Sequence, residues 1–235
     1  MEKAFSEETH WERAAKTRLG KYLTRAETGF IMKSIAPARL DTVMDVGAEA
    51  GRFSLLAKNP DGIAISIDID SYGLQRLKLK TKHVNIVQAD ARKIPLKDEV
   101  FDAIFMVEVL DYIPEVDEAL GECSRTLKSN ASLFVSFGNR SSLKSLFREM
   151  SGKSYRHSYG AIMRSLSRAG FTVKRKMGYN WLPFGRTSES RLVSCFAAVE
   201  KLVGLRKIPR LSPWVIVHAV KCNQSPHSDS RESHK

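Results

Sequence analysis

Three aspartates and one glutamate stand where a carboxylate can work on a ligand. Asp45 precedes the glycine-bounded turn Gly47-Ala48-Glu49-Ala50-Gly51. Asp68 closes the apolar run Ile63-Ala64-Ile65-Ser66-Ile67, twenty-one positions after Gly47. Asp90 follows Val84-Asn85-Ile86-Val87-Gln88-Ala89, and Glu108 follows Phe101-Asp102-Ala103-Ile104-Phe105-Met106-Val107. A turn rich in glycine lets a ligand touch bare backbone, and the helix after it presents unpaired N–H groups. A carboxylate after the next strand can accept both hydroxyls of a ribose. An acid at a further strand end can accept from the amino group of an adenine. The chemistry indicated is the binding of a nucleoside-containing cofactor. Each acid taken alone reads equally well as a solvated turn residue or a helix cap. Asp70, the rival of Asp68, is read as the cap of a helix starting near Ser71.

Glu49 narrows the cofactor. A dinucleotide loop needs glycines spaced G-x-G-x-x-G so that a pyrophosphate meets a helix N-terminus. Here Glu49 replaces the second glycine, and a carboxylate beside a diphosphate repels it. A ligand that carries a cationic group there tolerates an acidic neighbour.

Elements of alternating type must position these residues. Strands are expected at Thr42–Val46, Gly62–Asp68, Val84–Gln88, Phe101–Val107 and Ser132–Phe137, with helices at Arg52–Lys58, Ser71–Leu79 and Val116–Leu127 between them. Such alternation implies βαβ units, a parallel sheet covered on both faces, and a ligand crevice at the carboxyl ends of the strands. Amphipathic helix is expected from about Phe5 to Ile35, closed by Pro37. Beyond residue 139 come helices at about Ser141–Met150 and Ser158–Arg168, the latter ended by Gly170, and a strand at Phe171–Lys176. A helix over Glu189–Leu205 carries Leu192, Phe196, Val199 and Val203 on one stripe, and Trp214–Val220 is the last strand.

In order and spacing the chain resembles the class I S-adenosylmethionine-dependent methyltransferases. Asp45-Val46-Gly47-Ala48-Glu49-Ala50-Gly51 is similar to that family's first motif, Ile67-Asp68-Ile69-Asp70 to its second and Gln88-Ala89-Asp90-Ala91 to its third. Phe101 to Leu110 is similar to its fourth strand and following turn. The likeness is good from about Leu40 to Phe137 and continues loosely through Arg168-Ala169-Gly170-Phe171. It implies a Rossmann-like, mostly parallel seven-stranded α/β sheet with helices on both faces and extra N-terminal helices. It also implies S-adenosylmethionine as cofactor, held by Asp45, Gly47, Ala48, Glu49, Gly51, Asp68, Ile69, Asp90, Ala91 and Glu108. The expected organisation is an N-terminal helical extension over 1–38, a cofactor-binding core over 39–138, a substrate-side half over 139–222 and a disordered tail over 223–235.

Methyl transfer needs an acceptor atom aligned with a sulfur–methyl bond in a dry pocket, so orientation can supply much of the rate. Where the acceptor is a hydroxyl, a general base helps, and His157, Glu108 and Tyr112 are the candidates. A capping or surface role accounts for His157 as well. The family's usual pattern has a glycine where Glu49 stands, which keeps open a binding protein that has the fold without the chemistry.

The net charge of +12 is unevenly spread. Between Asn139 and Cys222 there are 17 Lys and Arg against three acids, hence +14, leaving −2 for the remainder. That segregation suggests an anionic partner for the second part. Arg140, Lys144 and Arg148 recur four apart, so a basic amphipathic helix over 140–150 is expected to cover a pocket, contact anionic lipid or follow a phosphate backbone. The leading reading is methylation of a small or lipid-linked, anionic molecule. The alternative is RNA methylation, against which stand the absence of an Asn-Pro-Pro-Tyr-type motif after the fourth strand and of an appended RNA-binding module. Loop aromatics Trp181 and Phe184 either wall an acceptor pocket or pack on a neighbouring helix. No apolar run is long enough to span a bilayer, the first residues are too polar for a signal peptide, and Cys123, Cys195 and Cys222 show neither metal spacing nor pairing. A cytoplasmic protein with reduced thiols is expected.

Overall fold

The computed structural model describes residues 7–35, 40–54, 62–145 and 157–223. Seven strands, β1 (Thr42–Val46), β2 (Ile63–Asp68), β3 (Val84–Gln88), β4 (Phe101–Met106), β5 (Leu127–Gly138), β6 (Phe171–Tyr179) and β7 (Trp214–Lys221), form one sheet. Its order is β3-β2-β1-β4-β5-β7-β6. The pairs β1–β2, β1–β4, β2–β3 and β4–β5 are parallel, and β7 runs antiparallel to both β5 and β6. The chain reverses direction across the sheet at β1, where β2 lies to one side and β4 to the other. Such a switch point opens a crevice at the strand ends.

Period-two alternation assigns the side chains to two cores. Met44, Ile104, Leu133, Val135 and Val217 point to one face, where they meet Leu120 and Cys123 of α4 (Val116–Thr126) and Ile162 and Leu166 of α5 (Tyr159–Arg168). Val43, Phe105, Phe134 and Ile216 point to the other, against Leu19, Leu23 and Phe30 of α2 (Arg18–Ile35). Burying one Leu or Phe in this way stabilises the fold by roughly 1.5–3 kcal/mol. Asp102, the polar residue of β4, accepts from the Thr42 amide at 2.8 Å and from Lys128 Nζ at 2.7 Å, and so pins β1 and β5 to β4 at their amino-terminal side.

Three expectations are corrected. The helix from Phe5 to Ile35 is two helices, α1 (His10–Lys16), capped by Thr9 and Glu12 together, and α2, because Thr17 takes an extended conformation with ψ 163°. Ser132–Phe137 is only the end of the twelve-residue β5. Glu189–Leu205 shortens to α6 (Val193–Leu202), and its apolar stripe faces outward, with Leu192, Phe196, Val199 and Val203 all exposed. The helix packs instead through Val193 and Glu200, one residue round. Glu200 fixes that face inward, accepting from Tyr22 Oη at 2.6 Å, the Trp181 amide at 3.0 Å and Arg206 Nε at 2.9 Å. α3 (Ser71–Lys80) forms where expected, capped by Asp70. Residues 55–58 of the expected Arg52–Lys58 helix, 146–150 of the 140–150 helix and most of the tail lie outside the described residues. Among the described residues, no helix is long and apolar enough to cross a membrane.

Candidate active site

A cavity of about 1080 Å³ opens at the carboxyl ends of β1 to β4. That is at the upper end of the roughly 300–1,000 Å³ usual for small-molecule sites. The turns after Val46, Ile67, Gln88 and Val107 all reach it.

The first turn is built by steric necessity. Gly47 and Gly51 have φ of +68° and +88°. A Cβ on Gly47 would lie 2.4 Å from Val109 Cγ2, and one on Gly51 would lie 2.3 Å from Leu77 Cδ1. Gly47 and Ala48 donate their amides to the Ile67 carbonyl at 2.8 and 3.0 Å, tying the turn to the end of β2. Glu49 adopts φ +47°, a left-handed conformation that explains the glycine expected there. Its amide donates to Asp68 Oδ2 at 2.8 Å, and its own Oε2 accepts from the Ala50 amide at 2.6 Å. Its Oε1 is buried with no hydrogen-bond partner. Glu49 therefore does not swing into solvent; it folds back over the turn.

Asp68 also accepts from the Asp70 amide at 2.9 Å, so two amides orient its carboxylate at the cavity wall. Asp90 is held by Arg92, whose Nη2 lies at 2.6 Å and whose Nη1 reaches Glu115 at 2.7 Å. The Arg92 guanidinium keeps the Asp90 carboxyl below its usual range. Gly47, Ala48, Glu49, Gly51, Asp68, Ile69, Asp90, Ala91 and Glu108 all line the one cavity. Asp45 does not. It is buried behind the turn, where it accepts from Ser54 Oγ at 2.6 Å, and Ser66 Oγ donates on to Ser54 at 2.8 Å. Burial pushes its carboxyl up to about 7. Asp45 anchors the turn and does not touch the cavity.

The three candidate bases separate. His157 is outside the cavity lining; its Nε2 lies 2.9 and 3.1 Å from the carbonyls of Leu110 and Ile113, so its ring buckles the single 3₁₀ turn at Leu110–Tyr112. Tyr112 lines the mouth, edge-on to Trp11, and burial pushes its phenol up, so it stays protonated at neutral pH. Glu108, at φ +64°, receives Arg52 Nη2 at 2.7 Å and an ion pair from Arg186 on the same oxygen. Burial pushes the Glu108 carboxyl up, but the two guanidinium groups outweigh it and hold it below the ordinary value. A carboxylate so paired is a poor proton acceptor. Its other oxygen, Oε1, is buried without a partner.

Several wall residues carry no motif. Trp11 and Glu12 of α1 line the cavity, and Glu12 ties α1 to α3 through Arg76 Nε at 2.6 Å and Lys80 Nζ at 2.7 Å. Burial raises the Glu12 carboxyl, but Arg76 and Lys80 bring it down to about 2. The N-terminal helices are thus a wall of the cavity. Arg186 arrives from the connection between β6 and α6, its guanidinium 4.6 Å above the Trp11 ring and 5.4 Å from that of Trp214. Beneath Arg52 lies Glu27, fully buried, accepting from Tyr179 Oη at 2.6 Å. Burial and the Glu108 charge push its carboxyl up to about 8. One signal marked Glu27: with Leu19, Leu23 and Phe30 it falls on the apolar stripe of α2, where an acid needs a reason. Trp181 and Phe184 do not line the cavity; Trp181 Nε1 donates to Ser212 Oγ at 3.0 Å and Phe184 meets Phe196 edge-on at 5.4 Å.

Comparison with known proteins agrees with this geometry. Residues 44–135 match a methyltransferase domain. Over 150 residues the chain is 29% identical to a malonyl-[acyl-carrier protein] O-methyltransferase from Methylococcus capsulatus, covering 59% of this chain and 54% of that protein. Over 103 residues it is 30% identical to a demethylmenaquinone methyltransferase from Roseiflexus, covering 42% and 43%. The chain spans about half the length of these curated relatives. Its fold matches that of an S-adenosylmethionine-dependent methyltransferase from Thermotoga maritima with a TM-score of 0.61 at 19% identity, covering 86% of this chain and 91% of that one.

Proposed function

We propose, for a chain that carries the domain and fold of the class I S-adenosylmethionine-dependent methyltransferases, that it transfers a methyl group to a small or lipid-linked, anionic acceptor. The observation that supports the donor half is the convergence of Asp68, Asp90 and the Gly47 turn on one cavity. Asp68 is oriented to accept from the ribose hydroxyls, and Ile69 and Ala91 offer apolar contact for the adenine beside Asp90. The buried, unpartnered Oε1 of Glu49 fits the donor in particular, because its methionine ammonium brings N–H groups that this oxygen lacks. When bound, S-adenosylmethionine supplies an electrophilic methyl group on a sulfonium.

The anionic acceptor rests on charge. With Glu27 protonated at neutral pH, two guanidinium groups, Arg52 and Arg186, face one ionised carboxylate, Glu108, leaving one net positive charge in this four-residue cluster, at one side of a cavity whose other walls are rich in acids. Arg186, between two indole rings, is the group placed to receive a carboxylate or phosphate of the acceptor. The malonyl group named for one relative carries a carboxylate, in line with the anionic part of this reading, and the quinone named for the other is in line with the lipid-linked part. No residue of this wall is a free base, so orientation and water exclusion by Trp11, Tyr112 and α1 carry the proposed catalysis.

The reading is tested by incubating the protein with methyl-labelled donor and fractionated cell extract. Label in small-molecule or lipid fractions supports it, and label only in RNA overturns the acceptor. Thermal-shift titration with S-adenosylmethionine tests the donor separately; no stabilisation would mean a fold kept without the chemistry. Glu49→Gly then decides the role of the odd acid. Relief of the left-handed strain, about 1 kcal/mol, stabilises the unliganded protein, while loss of the ammonium acceptor weakens donor binding by about tenfold. Tighter donor binding in this variant would show that Glu49 obstructs the site.

A further inference from the structure

We infer that the outer face of α6, with the segment that follows it, docks on an anionic membrane surface. Leu192, Phe196, Val199, Leu202 and Val203 are all exposed, Leu202 by 87% and Val203 by 65%. Ile208 and Leu211 extend the same run, each 43% exposed. This clustering departs from the single exposed apolar residues normal on protein surfaces, and such a patch marks an interaction site. It is not unsatisfied core. α6 already packs on α2 through Val193 and Glu200, and Glu200 is fully committed to Tyr22, Trp181 and Arg206.

Charge selects the occupant. From Arg191 to Arg210 there are five bases and one acid, and that acid is the buried Glu200. Arg191, Lys201, Lys207 and Arg210 are exposed. A second copy of the chain on this face would set equal positive patches against each other, because a two-fold interface pairs a surface with itself. A nucleic acid would meet the bases but leave the apolar residues uncovered. The interface of an anionic bilayer meets both, with acyl chains for the apolar residues and phosphates for the bases. Of the basic residues expected earlier on a helix over 140–150, Lys144 turns back onto the chain, its Nζ donating to the Leu182 carbonyl at 2.6 Å. The connection that carries Arg186 into the cavity runs directly into α6, so docking would hold the cavity near the lipid surface.

The patch is separate from the cavity, so its test does not depend on methyl transfer. The protein is sedimented with vesicles of equimolar phosphatidylcholine and phosphatidylglycerol, and with phosphatidylcholine alone. Binding to the mixed vesicles is expected, weakened by salt and by about tenfold or more in Leu202→Glu/Val203→Glu and in Lys207→Glu/Arg210→Glu. Circular dichroism checks that each variant is folded; two independent variants keep the test open if one is not. Absence of binding by the unaltered protein, unchanged binding in both folded variants, or equal binding to uncharged vesicles would overturn the inference. So would a dimer, seen by light scattering, that the Leu202→Glu/Val203→Glu variant dissolves while the protein ignores lipid.

Discussion

The two halves of the cavity are made differently. The half at the ends of β1, β2 and β3 is backbone: glycine turns, amides on carbonyls and two aspartates held by neighbours within two residues or by the turn opposite. The half bounded by α1, α2 and the β6–α6 connection is side-chain charge. Glu27, Arg52, Glu108 and Arg186 come from four separate places in the sequence, with Glu27 and Arg186 159 positions apart. The first construction suits a ligand part that never varies, since a backbone turn admits little change. The second can be altered one side chain at a time, which suits the part of a ligand that differs between enzymes.

Asp68→Ala gives the largest effect expected from this contrast. It removes the acceptor of the Glu49 and Asp70 amides as well as the ribose contact. Stability should fall by about 1–3 kcal/mol, and the Kd for S-adenosylmethionine should rise roughly 10–100-fold, read by calorimetry. An unchanged Kd would mean that the nucleoside does not lie on this half.

This contrast also explains what was legible in the sequence. Gly47, Asp68 and Asp90 were readable because each lies within two residues of the carboxyl end of its strand, so local spacing carries the geometry. Asp45 shares that spacing but points behind the turn; Ser54 donates to its carboxylate and Ser66 donates on to Ser54, a chain assembled only in the folded protein. His157 looked like a base because histidine titrates near neutrality, yet the two carbonyls that hold it belong to a turn more than forty residues away. Arg186 had no local signal at all. Its position depends on Trp11, Trp214 and Glu108 together. The outward stripe of α6 was visible as a stripe, but periodicity cannot say which way a stripe faces when the adjacent one holds a buried, bonded acid.

Arg186→Ala is the next smaller test and addresses the other half. It leaves Glu108 paired with Arg52 alone, and it removes the cation stacked on Trp11. The acceptor KM should rise by about tenfold or more on the labelled fraction, while donor Kd changes by less than about threefold. If donor affinity falls as far as it does in Asp68→Ala, the two halves are one site, and the division into fixed and variable parts fails.

The smallest effect concerns the pH at which each half holds a buried acid. Glu27 has an ordinary value of 4.5 and is pushed up to about 8 in the folded protein. Between those values the unfolded chain loses this proton while the folded chain keeps it, so the unfolded state binds fewer protons and stability falls as pH rises. The contribution is whole below about 4.5, declines through the window and is level above about 8. Asp45, under the other half, has the same sign over a lower window, from 3.8 to about 7. Glu27→Gln cannot titrate but keeps an acceptor for Tyr179 Oη, so it should match the unaltered protein in mild acid. It should then exceed it by about 1 kcal/mol or more at the alkaline end, measured by urea unfolding across the range. Asp45→Asn should flatten the curve only in the more acid part. If Asp45→Asn removes the whole decline and Glu27→Gln none of it, the buried proton lies beneath the nucleoside half. Glu27 would then be ionised, the cluster of Glu27, Arg52, Glu108 and Arg186 would lose its net positive charge, and Arg186 would have no excess charge to offer an anionic acceptor.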